Sequence, residues 1–223
     1  MISLGLALAA AGTTAVDAER AFAAAAQTQG QNTAFRAYAA PEAIMFTPEA
    51  GNAQAFLKDK PDPPVSVMWW PGRSWVSCDG TLAVNSGPWI ARGGRGTGTF
   101  TTVWRRQPDG GWKWLLDHGR TTPKPVAAAD RPVTIRPACG ARGRTNSPIL
   151  VQFEDQLPRD TLPKLAIEEG PAIASGASDD KSLQWEVRSV AGGEKGAHTM
   201  RVTQWDGTKQ RIVLFELSGV SVK

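Results

Sequence analysis

Residues 104–119 read WRRQPDGGWKWLLDHG and end on an adjacent acid and base, Asp117 and His118. A carboxylate and an imidazole can move protons, and the ordinary pKa of histidine lies close to neutrality. Neighbours on a strand point to opposite faces, so the two cannot line one pocket together. The turn sets which of them points inward. Pro108-Asp109-Gly110 with its flanking residues predicts a tight hairpin, with glycine supplying the positive φ. If Arg106 lies opposite Trp112, then Trp104 faces Trp114, Thr102 faces Leu116 and Phe100 faces His118. On that register these eight side chains share one face. His118 then points inward as the candidate catalytic acid–base, and Asp117 points outward. Phe100, Thr102, Trp104, Trp114 and Leu116 become the candidates for lining a ligand site. The plainer reading of His118 is a strand-end histidine bonded to backbone.

Other chemistry is sparse. GGRGTG at 93–98 lacks the strand-to-helix context of a phosphate loop and reads as a hairpin connection. Cys78 and Cys139 are the two cysteines. An even count in an exported chain permits a disulfide, and the alternative is two free thiols with Cys78 buried in a strand. A bridge would constrain the unfolded chain by roughly 4 kcal/mol in the entropy model. Two cysteines and two histidines argue against a structural zinc, and no metal or cofactor is expected. His198 reads as an exposed strand-edge residue.

The elements that must position these groups fall into two parts. VDAERAFAAAAQTQG predicts a helix capped by Asp17 and stopped at Gly30, with Glu19 and Arg20 in its early turn. QNTAFRAYAAPEAIMF predicts a second helix ending near Pro41, which leaves Glu42 near a helix end and Glu49 in a loop. GNAQAFLKDK predicts a third, capped by Asn52. From Val65 the period becomes two, and VSVMWWPGRSWVSC, TLAVNSGPWIAR, GTFTTVWRR and GWKWLLDHG read as strands. Helices followed by antiparallel strands indicate an α+β domain over residues 16–122. Residues 123–148, rich in Pro, Ala and Arg, read as a linker or an extended crossing segment. Residues 149–223 read as a small β-rich module built from ILVQFEDQ, SLQWEVRSV, HTMRVTQWD and KQRIVLFELSG, with Trp185, Trp205, Val213 and Phe215 in its core. A module of that size buries little surface alone and should lean on the first domain.

At the N-terminus the apolar run 2–12 is too short to span a bilayer. It suits a signal-peptide core with cleavage after Ala15, although the usual positive start is missing. The expectation is therefore export to the periplasm or beyond, with no membrane span in the mature chain. The 223 residues carry a net charge of +4, and their Lys and Arg are scattered rather than clustered. That distribution argues against a nucleic-acid partner.

The stretches DAERAFAAAAQTQGQNTAFRAYAAPEAIMFTP, VSCDGTLAVNSGPW and GTFTTVWRRQPDGGWKWLLDHG together resemble the nuclear-transport-factor-2-like superfamily. They are similar to its domain-of-unknown-function branch, which itself resembles polyketide-cyclase and ketosteroid-isomerase proteins. The resemblance covers residues 16 to about 122. It implies a cone, a strongly bent antiparallel sheet wrapped around the N-terminal helices, with a cavity at the open end. Steroid-isomerising members use a carboxylate base with a tyrosine and a second acid. Here Tyr38 is the only tyrosine, and two acids cannot be matched to those roles.

Three functions fit the sequence. The chain could carry a small apolar ligand in the cone without catalysis. It could be a lyase or isomerase using His118. It could also be an interaction module whose outer sheet face, displaying some of the nine tryptophans, dimerises or meets a partner. Trp69 and Trp70 must point oppositely, so not every indole can face the cone.

Overall fold

The computed structural model describes residues 13–94, 96–140 and 167–219. Most of the expected signal sequence, the strand expected in ILVQFEDQ and part of the expected linker lie outside the described residues.

Helix α1, Ala15–Gln29, starts one turn earlier than Asp17 would allow as a cap. Thr14 caps it instead, accepting the Asp17 amide hydrogen on its hydroxyl, while the Asp17 carboxylate accepts the Thr14 amide hydrogen; both bonds are 3.1 Å. Its buried stripe runs Ala15, Val16, Glu19, Phe22, Ala25 and Ala26. Gly30 ends α1 at φ 106° and begins α2, Gln31–Tyr38. A side chain at Gly30 would collide with Asp62, whose carboxylate caps α2 by accepting from the Thr33 amide at 2.9 Å.

The second expected helix stops at Tyr38. Ala39–Phe46 is strand β1, because Pro41 offers no amide hydrogen and disfavours a helical residue before it. Glu42 therefore sits within a strand, paired with Arg105. Strand β2, Ala50–Asn52, leads into α3, Ala53–Leu57, which Asn52 caps as expected, accepting from the Ala55 amide at 2.9 Å.

Residues 65–78 make two strands rather than one, β3 at Met68–Trp69 and β4 at Arg73–Val76, separated by Pro71 and Gly72. Then follow β5, Leu82–Ala91, β6, Gly96–Arg106, and β7, Trp112–Thr121. The expected linker is partly structured, since Val133–Ile135 forms β8 on the edge of the sheet. The sheet order is β2-β1-β7-β6-β5-β4-β8, with β3 paired to β5. It is mixed rather than purely antiparallel, because β1 runs parallel to β7 and β8 parallel to β4. Helix α1 lies over β5 and β3.

A second sheet, in the order β12-β11-β10-β9, contains β9 at Glu169–Ala177, β10 at Leu183–Val190, β11 at His198–Trp205 and β12 at Gln210–Ser218. It covers the face of the first sheet that the helices leave bare. Trp75, Leu82, Val84, Val103 and Leu116 pack there against Leu183, Trp185, Val187, Met200, Val202 and Leu214. The module thus leans on the first domain as expected, with a different core, since Trp205 and Phe215 are exposed. The outer sheet face is not a free dimerisation surface. This chain's own C-terminal sheet occupies it.

Two copies of one turn tie the sheets together. Ser77–Leu82 joins β4 to β5, and Ser178–Leu183 joins β9 to β10. In each, the serine hydroxyl donates to the aspartate two residues on, at 2.5 Å in Ser77–Asp79 and 2.7 Å in Ser178–Asp180. The turns then exchange bonds: the Asp180 amide donates to Asp79 Oδ2 at 2.9 Å and the Asp79 amide to Asp180 Oδ2 at 3.0 Å. Beside this clasp Cys78 and Cys139 form a disulfide, with Cα atoms 5.3 Å apart. Among the described residues, no helix is long and apolar enough to cross a membrane.

Candidate functional site

The hairpin of β6 and β7 begins in the expected register and then leaves it. Arg106 pairs with Trp112 and Trp104 with Trp114, but the next pair is Val103 with Leu116. Leu115 is an extra residue, a β-bulge, and beyond it every side chain of β7 has changed face relative to its partner strand. Thr102 now pairs with Asp117 and Thr101 with His118. The expected orientation is therefore reversed, with Asp117 on the helix-covered face and His118 on the face covered by the second sheet. Leu116 moves with His118 into the core between the sheets. Phe100, Trp104 and Trp114 stay in the core beneath the helices. Thr102 stays on that side too, donating its hydroxyl hydrogen to Asp117 Oδ2 at 2.7 Å. Four of the five expected lining residues are thus brought together, and Leu116 is separated from them.

Pairing carries Asp117 into a row that crosses five strands. Met45 pairs with Asp117, Asp117 with Thr102, Thr102 with Asn85, and Asn85 with Ser74. Paired residues share a face, so this row lies under the helices. Its neighbour, the row Val76, Ala83, Trp104, Trp114 and Ala39, is wholly apolar. Helix α1 adds a second acid to the polar row. Glu19 is fully buried, with Oε1 accepting from Trp69 Nε1 at 2.8 Å and Oε2 from Trp104 Nε1 at 2.6 Å and Asn85 Nδ2 at 3.2 Å.

Burial dominates the electrostatics. It pushes the Glu19 carboxyl up to about 7, against the hydrogen bonds from Trp104, Trp69 and Asn85, with the Asp117 charge adding to the rise. It pushes Asp117 up to about 6, against the Thr102 hydroxyl and the charge of His118. Asp117 lies deep in the fold yet keeps part of its surface accessible. Two further groups in the row have spare capacity, since Ser74 Oγ and Asn85 Oδ1 are buried without a hydrogen-bond partner. The row can hold a proton on either acid near neutral pH and can accept a hydrogen bond from a guest at Asp117.

His118 belongs to a different cluster. On the far face its Nε2 stands 3.1 Å from Glu216 Oε2, an ion-pair contact not aligned as a hydrogen bond. Glu216 also accepts from the Thr101 hydroxyl at 2.7 Å. His118 Nδ1 is 3.2 Å from His198 Nε2, and His198 Nδ1 is 2.8 Å from the Gly196 carbonyl. That carbonyl can only accept, so His198 carries its proton on Nδ1 and presents a lone pair to His118. His198 also stacks on Phe46, with ring centroids 3.7 Å apart. It is buried rather than on an exposed strand edge. Burial holds its pKa down to about 4, with the charge of His118 lowering it further against the Gly196 hydrogen bond and Glu216. Chemically this is a packed lock between two sheets.

Glu19 is the buried acid of the polar row to which the sequence alone assigned no role. It sits three residues from Val16 and three from Phe22, on the apolar stripe itself, where a carboxylate cannot reach solvent. Among the described residues, no group of three or more His, Cys, Asp or Glu is placed to hold a metal ion.

No protein-family model matches the sequence, and no curated protein matches it. Among solved structures, the following chains are similar. One is a candidate ketosteroid isomerase from Parabacteroides distasonis, 16% identical, covering 51% of this chain and 92% of that one at a TM-score of 0.41. Another is a protein of unknown function from Shewanella oneidensis, described as similar to nuclear transport factor 2. It is 17% identical and covers 45% and 91% of the two chains at a TM-score of 0.36. A third, also of unknown function, comes from Pectobacterium atrosepticum; it is 15% identical and covers 48% and 88% at 0.35.

Proposed function

We propose that this is an exported protein whose helix-covered sheet face receives one small, mainly apolar molecule that donates a hydrogen bond to Asp117. The observation that carries the reading is Asp117 itself: a residue with part of its surface accessible, its carboxyl raised by burial to about 6, at the end of a polar row that runs beside the apolar row of Trp104 and Trp114. Its row neighbours are Met45 and Thr102, and the aromatic side chains of Phe100, Trp104 and Trp114 share its face. The Cys78–Cys139 disulfide supports export, because such bonds persist in oxidising compartments.

The raised carboxyl also favours a second reading. A base that holds and releases a proton near pH 6 can abstract one from a bound carbon acid, with Glu19 as the second acid of the row. In that lyase- or isomerase-type reading the acid–base is Asp117 rather than His118, whose ring nitrogens face Glu216 and His198.

Titration with 2-naphthol, a flat apolar molecule with one acidic hydroxyl, tests the binding reading through quenching of indole fluorescence. Saturable one-to-one binding is expected, weakened about tenfold in Asp117→Asn, which keeps the shape and removes the charge. Binding that does not saturate, or that Asp117→Asn leaves unchanged, sinks the reading.

A further inference from the structure

The disulfide does not only staple the fold. Cys139 is exposed, while Cys78 is half-buried in the clasp turn with its amide given to the Ser182 hydroxyl at 2.8 Å. Both cysteines open on a surface cavity of about 630 Å³, lined also by Lys181, Ser182, Trp205, Gln210 and Asp180, whose carboxylate is already engaged by Ser178, Ser182 and the Asp79 amide. Three features of that cavity are unspent. The Lys181 side chain is exposed, and its ammonium has no partner among the described residues. Gln210 donates its amide to the Lys181 carbonyl at 2.7 Å, but its Oε1 is buried without a partner. The Trp205 indole is 37% exposed and forms an apolar wall.

We propose that this cavity is a thiol-exchange site at which Cys139 accepts a small acidic peptide thiol. Lys181 meets a carboxylate of the incoming molecule, and Gln210 Oε1 takes one of its N–H groups. The difference in access selects the attacked sulfur, since exchange proceeds by a thiolate reaching one sulfur along the bond axis while the other departs. The incoming thiol loses its proton to solvent and its thiolate attacks Cys139 Sγ. A new S–S bond forms there, the bond to Cys78 breaks, and its electron pair leaves on Cys78 as a thiolate. Nothing is oxidised or reduced overall.

The exchange has a structural consequence. Once Cys139 is released from Cys78, the strap that carries it is held to the second sheet by the Ala138 amide on the Trp205 carbonyl, 3.1 Å, and by Gln204 on the Ile135 carbonyl, 3.3 Å.

The test uses the folded, full-length chain incubated with reduced glutathione, quenched in acid, alkylated with iodoacetamide and mapped by peptide mass. The expected product carries glutathione on Cys139 and the alkyl group on Cys78, in at least about tenfold excess over the reverse. Lys181→Gln is expected to slow the reaction with glutathione about threefold and to leave the rate with uncharged 2-mercaptoethanol unchanged. Three results overturn the proposal. They are a disulfide that stays intact until the chain is unfolded in urea, an adduct on Cys78, or a Lys181→Gln variant that reacts with glutathione as fast as the parent.

Discussion

His118 on β7 and Glu216 on β12 meet across the interface of the two sheets, with Nε2 and Oε2 3.1 Å apart and side chains 1% and 7% exposed. A pair this buried stabilises little over an apolar substitute, yet removing one partner strands the other's charge. Glu216→Gln and His118→Ala should each cost about 3 kcal/mol of unfolding free energy, measured by urea denaturation. A loss below about 1 kcal/mol would mean that solvent reaches the pair.

The same cluster sets a pH dependence through His198. Its folded pKa, about 4, lies below the unfolded value near 6.5. Between those values the unfolded chain binds the proton and the folded chain does not. Stability on this account rises with pH across that window and is lost as pH falls through it, by on the order of 3 kcal/mol. His118, Glu216, Phe46 and the Gly196 carbonyl face His198 and remain in place in a His198→Gln variant. The stability difference between parent and variant should therefore grow from pH 4 to 6.5; a flat difference would contradict the assignment.

Glu19 has the opposite sign. Its folded pKa of about 7 lies above the unfolded value near 4.3, so the folded chain holds the extra proton between them. The parent loses stability from this group as pH rises through that interval. Glu19→Gln removes the titration but leaves one indole N–H without a good acceptor, at a cost of about 2 kcal/mol. Its destabilisation should be largest near pH 5 and shrink by pH 8. A cost that does not vary with pH would place Glu19 in contact with water.

The clasp can be tested as a unit. Asp79 is held at about 2: burial raises its pKa, but hydrogen bonds from Ser77, the Thr81 and Asp180 amides and the Thr81 hydroxyl outweigh that. A double-mutant cycle of Asp79→Asn and Asp180→Asn should show a coupling of about 1 kcal/mol, because each carboxylate accepts the other's amide. Additive effects would show that the turns fold independently.

The start of α1 limits where a signal peptidase could cut in the export we propose. Thr13 accepts the Trp112 indole N–H at 3.0 Å, Thr14 caps the helix, and the Ala15 carbonyl accepts from Asn85 at 2.9 Å. Cleavage after Ala15 would remove all three contacts. Sequencing the N-terminus of exported protein should find a chain that begins at or before Thr13. A start at Val16 would mean that α1 begins without its cap.

Much of this fold can be read from local sequence. The helix stop at Gly30, the Asn52 cap and the 107–111 turn each depend on residues adjacent in the chain, and each stands where the local pattern puts it. The bulge at Leu115 does not. One inserted residue leaves no mark on composition, and it alone exchanged the faces of Asp117 and His118. The covering sheet left a trace that alternation arguments pass over. Leu82, Ala83 and Val84 are apolar on both faces, which is the mark of a strand buried on both sides. The repeated turn, Ser-x-Asp-x-(Thr/Ser)-Leu at 77–82 and 178–183, was visible as a pattern, but its reciprocal pairing depends on the third dimension.

A small molecule seated against Asp117, as proposed, should stay with the protein through purification. Protein recovered from a bacterial periplasm, with its mass measured under native and then denaturing conditions, tests it most directly. The expected native mass exceeds the denatured one by a single small molecule, on the order of a few hundred daltons, with no such excess in Asp117→Asn. Equal native and denatured masses in the parent, or the same excess in the variant, would contradict it.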